Sequence, residues 1–220
     1  MKAAWMAFAV VALALPVRSE AGPLMGSEFQ VDYSNPGLSP SHWILTIHPD
    51  GSGHFHSERG DSQEKVETIE APNVDRDIQV SGEYAGRVFE TAYRHNLFSE
   101  DCESHMKVAF QGWKKVSFKG PQGEGTCVFN YSKDKEIQAL GESLVAVAGS
   151  ILEGARLELL MQHDRLGLDS ETEYLVEAAR DGRVQEICTI RGILMRLAED
   201  EEVMERVRKR ARDLLARANG

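Results

Sequence analysis

Apolar and polar residues alternate with a period of two through much of residues 29–80. Turn-forming sequences such as NPG, HPDGSG and APN separate these short alternating segments, which is typical of antiparallel strands joined by tight turns. In HPDGSG, Pro49 presets one turn dihedral and Asp50-Gly51 tolerates positive φ. We therefore predict that the strands on either side of this turn form a hairpin. The predicted strands of this half are EFQVDY, HWILTI, HFHSE, KVETIE and DIQV.

The period changes after Ser81, a residue type that commonly caps helices. Tyr84, Val88 and Ala92 recur every four residues and predict a helix of about fourteen residues that ends at HNLF. Three more strands are expected at MKVAFQ, KKVSFK and TCVFNY, with a glycine-rich turn, GPQGEG, before the last. A long helical pattern then runs to about Met161, and its glycines predict close packing against the sheet.

The remainder of the chain is helical by every local signal. Ser170 to Glu173 (SETE) reads as a capping box, and two further amphipathic segments follow it. We therefore predict an α+β fold, with an antiparallel sheet and two packed helices followed by a C-terminal three-helix segment. The predicted domains are residues 22–162 for the α+β part and residues 163–220 for the helical module.

Layout and a few residues support a resemblance to known proteins. The order of strand, PDG turn, strand, helix ending in N-x-F, meander and helix resembles domains of uncharacterised exported bacterial proteins, with Asp50, Gly51, Asn96 and Phe98 at the matching places. It covers about Phe29 to Ile151 and implies no assigned activity. The sequence ILMRLAEDEEVMERVRKRARDLL resembles one α-hairpin of HEAT-type repeats, which implies an interaction surface, although repeats need neighbours to bury their faces.

The first 21 residues have the form of a secretory signal peptide. Lys2 is followed by an apolar stretch from Ala3 to Pro16 and by Ser19-Glu20-Ala21, a small-x-small cleavage site. The apolar stretch is shorter than the roughly twenty residues that span a bilayer as a helix. We therefore expect a periplasmic or extracellular protein without a transmembrane segment.

Charge and cysteine content refine this expectation. The net charge of −10 disfavours nonspecific nucleic-acid binding, which needs a basic surface. In an oxidising compartment two of the three cysteines are expected to pair. We predict a disulfide between Cys102 and Cys127, because both flank one predicted meander, whereas Cys188 lies in the apolar rhythm of a helix and reads as a small buried hydrophobe.

Three histidines form the strongest candidate site. His54 and His56 lie two residues apart on a predicted strand and so share a face, and His48 comes close across the hairpin if the register allows. Three imidazoles with an aspartate or water as the fourth ligand would suit zinc or copper. The alternative is that these are ordinary histidines on a solvent-facing strand, because the spacing matches no established ligand signature.

Motifs for nucleophilic or phosphate chemistry are absent from the sequence: there is no G-x-S-x-G, H-E-x-x-H or Walker loop. Our leading hypothesis is a non-enzymatic exported protein that binds another envelope or secreted protein through its C-terminal helices and needs no cofactor. The alternative is a zinc-binding protein or metal-dependent hydrolase that uses His48, His54 and His56. Trp43 and Trp113 could mark a binding patch, but within strands they are more often core or edge cover.

Overall fold

The computed structural model describes residues 26–58 and 73–218. The predicted signal peptide and the predicted strand KVETIE lie outside these residues. Within the described part, no helix combines the length and the hydrophobicity needed to span a bilayer.

Six strands form one antiparallel sheet. They are β1 (Glu28–Ser34), β2 (His42–Ile47), β3 (Ser52–Glu58), β4 (Val74–Gln79), β5 (Trp113–Gly120) and β6 (Gly123–Phe129). Their order in the sheet is β4-β3-β2-β1-β5-β6. Consecutive strands from β1 to β4 are neighbours, and β5 pairs on the free side of β1.

Five α-helices occur among the described residues, two within the sheet-containing part and three after it. This confirms the predicted α+β class and the C-terminal helical segment. The helices are α1 (Gly82–Arg94), α2 (Lys135–His163), α3 (Gly167–Arg180), α4 (Arg191–Glu199) and α5 (Glu205–Arg217).

The hydrophobic side of the sheet packs against α1 and α2. Alternate strand residues such as Phe29, Leu45 and Phe55 are fully buried there, because successive side chains of a strand point to opposite faces. Phe118 of β5 meets Phe89 of α1 edge to face, with ring centroids 6.1 Å apart. This layer forms the first of two cores.

The predicted hairpin at HPDGSG and the predicted start of α1 after Ser81 are both confirmed. His48 N donates to Ser52 O at 2.7 Å across the HPDGSG turn, and Gly51 takes the positive φ of +81°. The Ser81 hydroxyl accepts from Tyr84 N and so caps α1.

The predicted strand at MKVAFQ is wrong. Residues 106–111 contain no regular secondary structure. The period-two pattern is real, but its expected neighbour KKVSFK lies in β5, and both edges of β5 are occupied by β1 and β6. Since a strand has only two edges for pairing, no place remains beside β5 for a third partner.

A second core joins α3, α4 and α5 to the C-terminal half of α2. The helical segment therefore packs on the rest of the molecule. Ile190 lies against Gly154 of α2, where a Cβ would come within 2.4 Å, and Glu186 accepts from Ser81 N at 2.6 Å. Of the α2 glycines expected to pack on the sheet, Gly141 does so, against Phe129 and Lys114, whereas Gly154 contacts the helical segment instead.

Two local predictions in the helical segment need correction. The predicted capping box at Ser170 lies inside α3, which begins at Gly167. Cys188 is only half-buried, with its Sγ 3.3 Å from a Glu186 carboxylate oxygen. Burial, with Glu186 adding to the effect, raises the pKa of this thiol to about 11, so it stays protonated near neutral pH.

Candidate functional site

The predicted disulfide is present and precedes an unusual loop. Cys102 and Cys127 are bonded, with their Cα atoms 5.7 Å apart. After Cys102 the chain crosses one end of the sheet before entering β5 at Trp113. We call residues 106–113 the apolar loop.

The apolar loop presents large hydrophobic side chains to solvent. Met106, Phe110 and Trp113 are 54%, 50% and 45% exposed. The rings of Phe110 and Trp113 meet edge to face at 6.0 Å. Clustered hydrophobic side chains that remain exposed commonly mark a binding surface.

The backbone of this loop is nevertheless held firmly. Tyr33 Oη donates to Gln111 O at 2.8 Å, and the Tyr33 ring stacks on Trp43 with centroids 4.8 Å apart. Gly112 has φ +101°, and a Cβ there would come within 2.4 Å of the Tyr33 hydroxyl. Only glycine meets both conditions, so the loop depends on residue 112 having no side chain.

Two buried polar residues complete the support. Asn130 accepts from Gln111 N at 2.6 Å and donates to Ala109 O at 3.3 Å. Lys114, 2% exposed, donates to Gly112 O at 3.1 Å and to Asn130 O at 3.0 Å. Burial lowers the pKa of Lys114, which shows the cost of placing an ammonium group there. The Lys114 ammonium group therefore holds the backbone of the loop at the cost of its own desolvation.

Trp113 also belongs to the face of the sheet that points away from α1 and α2, which we call the open face. Its side chains are exposed or half-buried. The strand register places Trp113 beside Ser34, and Lys115 beside Asp32. The aromatic end of the apolar loop is thus continuous with a flat polar surface.

Histidines and carboxylates alternate across β1 to β4 on the open face. His54 lies between two aspartates, with Nδ1 2.9 Å from Asp77 and Nε2 2.9 Å from Asp75. His56 is 3.2 Å from Asp75 and 3.5 Å from Glu58. We call this set the His-carboxylate ladder; its members are Asp32, His42, His54, His56, Glu58, Asp75 and Asp77, with His42 2.9 Å from Asp32.

The surroundings of His54 favour a protonated imidazole over a metal ligand. A histidine binds metal through the lone pair of a ring nitrogen, yet both nitrogens of His54 face carboxylates. The hydrogen bond to Asp77, with Asp75 adding to it, raises the pKa of His54 above 6.5. His48 lies just beyond β2, in the turn. In residues 26–58 and 73–218, no three His, Cys, Asp or Glu side chains form a group suited to a metal ion. Calorimetry with zinc tests the predicted metal site at His48, His54 and His56 directly.

A cleft of about 280 Å³ lies beside the N-terminus of α2. Its wall includes His95, whose Nε2 is 3.0 Å from Glu136. Next to it, Asn96, Leu97 and Phe98 all have positive φ, a conformation that costs energy for residues with a side chain. This left-handed turn brings the Leu97 carbonyl against Gly125 of β6, so it packs on the buried face of the sheet beside Phe118.

The sequence revealed only part of this arrangement. Trp113, His54 and His56 stood out because of their residue types. Met106 and Phe110 were assigned to a strand, and Tyr33, Lys114 and Asn130 carried no local signal, because Tyr33 and Gln111 are 78 residues apart in the chain. The one available clue to the exposed loop was that the apolar strand pattern at MKVAFQ has no free strand edge with which to pair.

Searches for similar proteins add no assignment. The chain matches no protein-family model and no curated protein. The resemblance to exported α+β domains and to HEAT-type hairpins therefore stays a prediction.

Proposed function

We propose that this is a non-enzymatic exported protein, periplasmic or extracellular, that binds another protein of the same compartment through the apolar loop and the adjoining open face. The observation that carries the proposal is a firmly held loop with Met106, Phe110 and Trp113 exposed. Binding that needs no ordering of the loop loses less conformational entropy. The Cys102–Cys127 disulfide supports the compartment, because such bonds persist in oxidising surroundings.

The apolar loop replaces the C-terminal helices as the proposed contact surface. The apolar sides of α3, α4 and α5, including Leu175, Leu194 and Leu214, are buried in the second core. Much of their outer surface carries ion pairs, such as Arg206 and Arg210 with Asp169. These arginines already have a carboxylate partner within the segment, so the clustered aromatic side chains of the loop are the better supported contact surface.

The test is capture from a native envelope extract with the immobilised protein and two variants. Phe110→Ser/Trp113→Ser removes the exposed rings of the loop. Leu166→Ser/Met195→Ser removes two exposed hydrophobic side chains from the helical segment and serves as the matched control. Thermal unfolding confirms that each variant is folded.

We expect the wild type and the control to retain the same specific partner and the loop variant to lose it. The partner, identified by mass spectrometry and purified, should then bind the loop variant at least about tenfold more weakly in solution, a loss of about 1.4 kcal/mol. Equal retention by all three proteins would show that the loop is not the contact surface.

A further inference from the structure

The charge of the open face is unevenly distributed. Outward positions of β1 to β4 hold the ladder carboxylates Asp32, Glu58, Asp75 and Asp77, but no lysine or arginine. Arg76 is on the opposite side of β4, where its guanidinium pairs with Glu158 of α2 at 2.7 Å. This half of the face is therefore acidic when its histidines are neutral.

Every carboxylate of the ladder has a histidine beside it. Asp32 faces His42, Asp75 and Asp77 face His54, and Glu58 faces His56. A protonated His54 would offset one of the two negative charges of Asp75 and Asp77, between which it lies. Histidine is the side chain that changes charge between about pH 5 and 8, so the charge around His54 would respond to pH in that range.

We infer that the acidic half of the open face binds a basic protein surface at neutral pH and releases it on acidification, as His54 takes a proton and pairs with Asp75 and Asp77. The inference rests on the proposed function for its choice of surface and deepens it by naming the partner's charge. The partner's cations pair with Asp32, Glu58, Asp75 and Asp77, while an apolar group contacts Trp113 and Phe110.

Neighbouring charged groups determine the pH range over which binding changes. The charged groups that face His54 are Asp75 and Asp77 of β4, and His56 is flanked by Asp75 and Glu58. On β2, His42 faces Asp32 of β1 and lies opposite Glu58 of β3, and Asp32 itself lies opposite Lys115 of β5. Since the two aspartates favour the charged form of His54, its protonation begins nearer neutral pH than that of a free imidazole.

The experiment measures binding of the full, disulfide-intact protein to immobilised poly-L-lysine. Asp75→Asn/Asp77→Asn removes two ladder charges. Glu177→Gln/Glu201→Gln removes two exposed charges from the helical segment and keeps the net charge of the variants equal. Affinity is compared at about pH 7.5 and about pH 5.5, which bracket histidine protonation.

We expect the ladder variant to bind about tenfold more weakly at the higher pH and the control to change less than about twofold. Wild-type affinity should fall by about tenfold on acidification, and His54→Asn/His56→Asn should reduce that fall to less than about threefold. Equal losses in the two charge variants, or an unchanged pH response in the histidine variant, would overturn the inference.

Two further results separate the alternatives. Phe110→Ser/Trp113→Ser should keep the pH response on poly-L-lysine, so a failed partner capture counts against the proposed function and not against the ladder. If sedimentation shows a dimer that Asp75→Asn/Asp77→Asn disrupts, the face binds a second copy of this chain and the inference of a basic partner is wrong.

Discussion

The two faces of the sheet are built from the same strands and differ in almost every physical property. On the side of α1 and α2, residues such as Phe55 and Phe118 are buried, and titratable groups are few. On the open face, alternate residues of the same strands include histidines, carboxylates and lysines, which are exposed or half-buried, beside apolar residues such as Trp113. The comparison teaches that one side of each strand specifies the fold, while the other is free to carry surface chemistry.

Neighbouring substitutions on β3 should separate the two faces most strongly. Phe55→Ala removes a fully buried ring whose centroid lies 5.9 Å from the centroid of the Trp43 ring. It should lower the free energy of unfolding by about 3–5 kcal/mol. His56→Ala, one residue away on the open face, should change it by less than about 0.5 kcal/mol. Urea unfolding measures both; similar losses would mean that the open face is covered by packed structure.

Removing the disulfide should have the next largest effect. Cys102→Ser/Cys127→Ser opens a link between residues 25 positions apart and should cost about 3 kcal/mol, because the unfolded chain regains freedom. Cys188→Ser serves as the control and should change stability far less. If the reduced protein unfolds at the same urea concentration as the oxidised one, the bond does not constrain the chain as expected.

The half-buried carboxyl group of Glu153 in α2 predicts that stability depends on pH. Burial, with a hydrogen bond to the Glu171 carboxylate and its negative charge adding to it, raises the pKa of Glu153 to about 8, while Arg156 pairs with Glu171 at 2.8 Å. The folded protein therefore keeps a proton that the unfolded chain loses near pH 4.5.

Stability should consequently fall between about pH 5 and pH 8, by about 2 kcal/mol once partial solvent exposure is allowed for. Glu153→Gln should flatten this part of the profile, and Glu177→Gln on the surface should not. Thermal unfolding across the pH range measures the difference, and parallel profiles for Glu153→Gln and the wild type would contradict the buried-proton explanation.

The smallest predicted effect is on the open face. Because the folded-state pKa of His54 lies above the unfolded value of 6.5, its ion pairs stabilise the fold fully below that pH and lose their contribution as pH rises through the folded-state pKa. The groups are exposed, so the gain should stay below about 0.5 kcal/mol. Denaturant titrations at several pH values measure this stability gain, and His54→Asn should abolish it. A pH-dependent change in the free energy of unfolding that is larger for His54 than for Glu153 would contradict the predicted order.

Local patterns were sufficient for most of the secondary structure. Turn residues at HPDGSG predicted the β2–β3 hairpin, and Ser81 predicted the start of α1, because both depend on contacts within a few residues. The pairing of Cys102 with Cys127 was also predicted, since both cysteines flank the same meander. The helical pattern of the last third was read correctly, although the start of α3 was placed at Ser170, three residues after Gly167.

The candidate site was less predictable, because its members come from distant parts of the chain. Alternation placed His54 and His56 on one face of β3, as expected. Their carboxylate partners, Asp75 and Asp77, became known only when the register with β4 was known. The sequence by itself thus determined most of the strands, the helices and which face of these strands is apolar, since these depend on spacing between near neighbours. Tertiary structure alone decided that MKVAFQ has no strand to pair with, that Tyr33, Lys114 and Asn130 hold it as an exposed loop, and that the helical segment docks, because those outcomes depend on which edges and faces other elements already occupy.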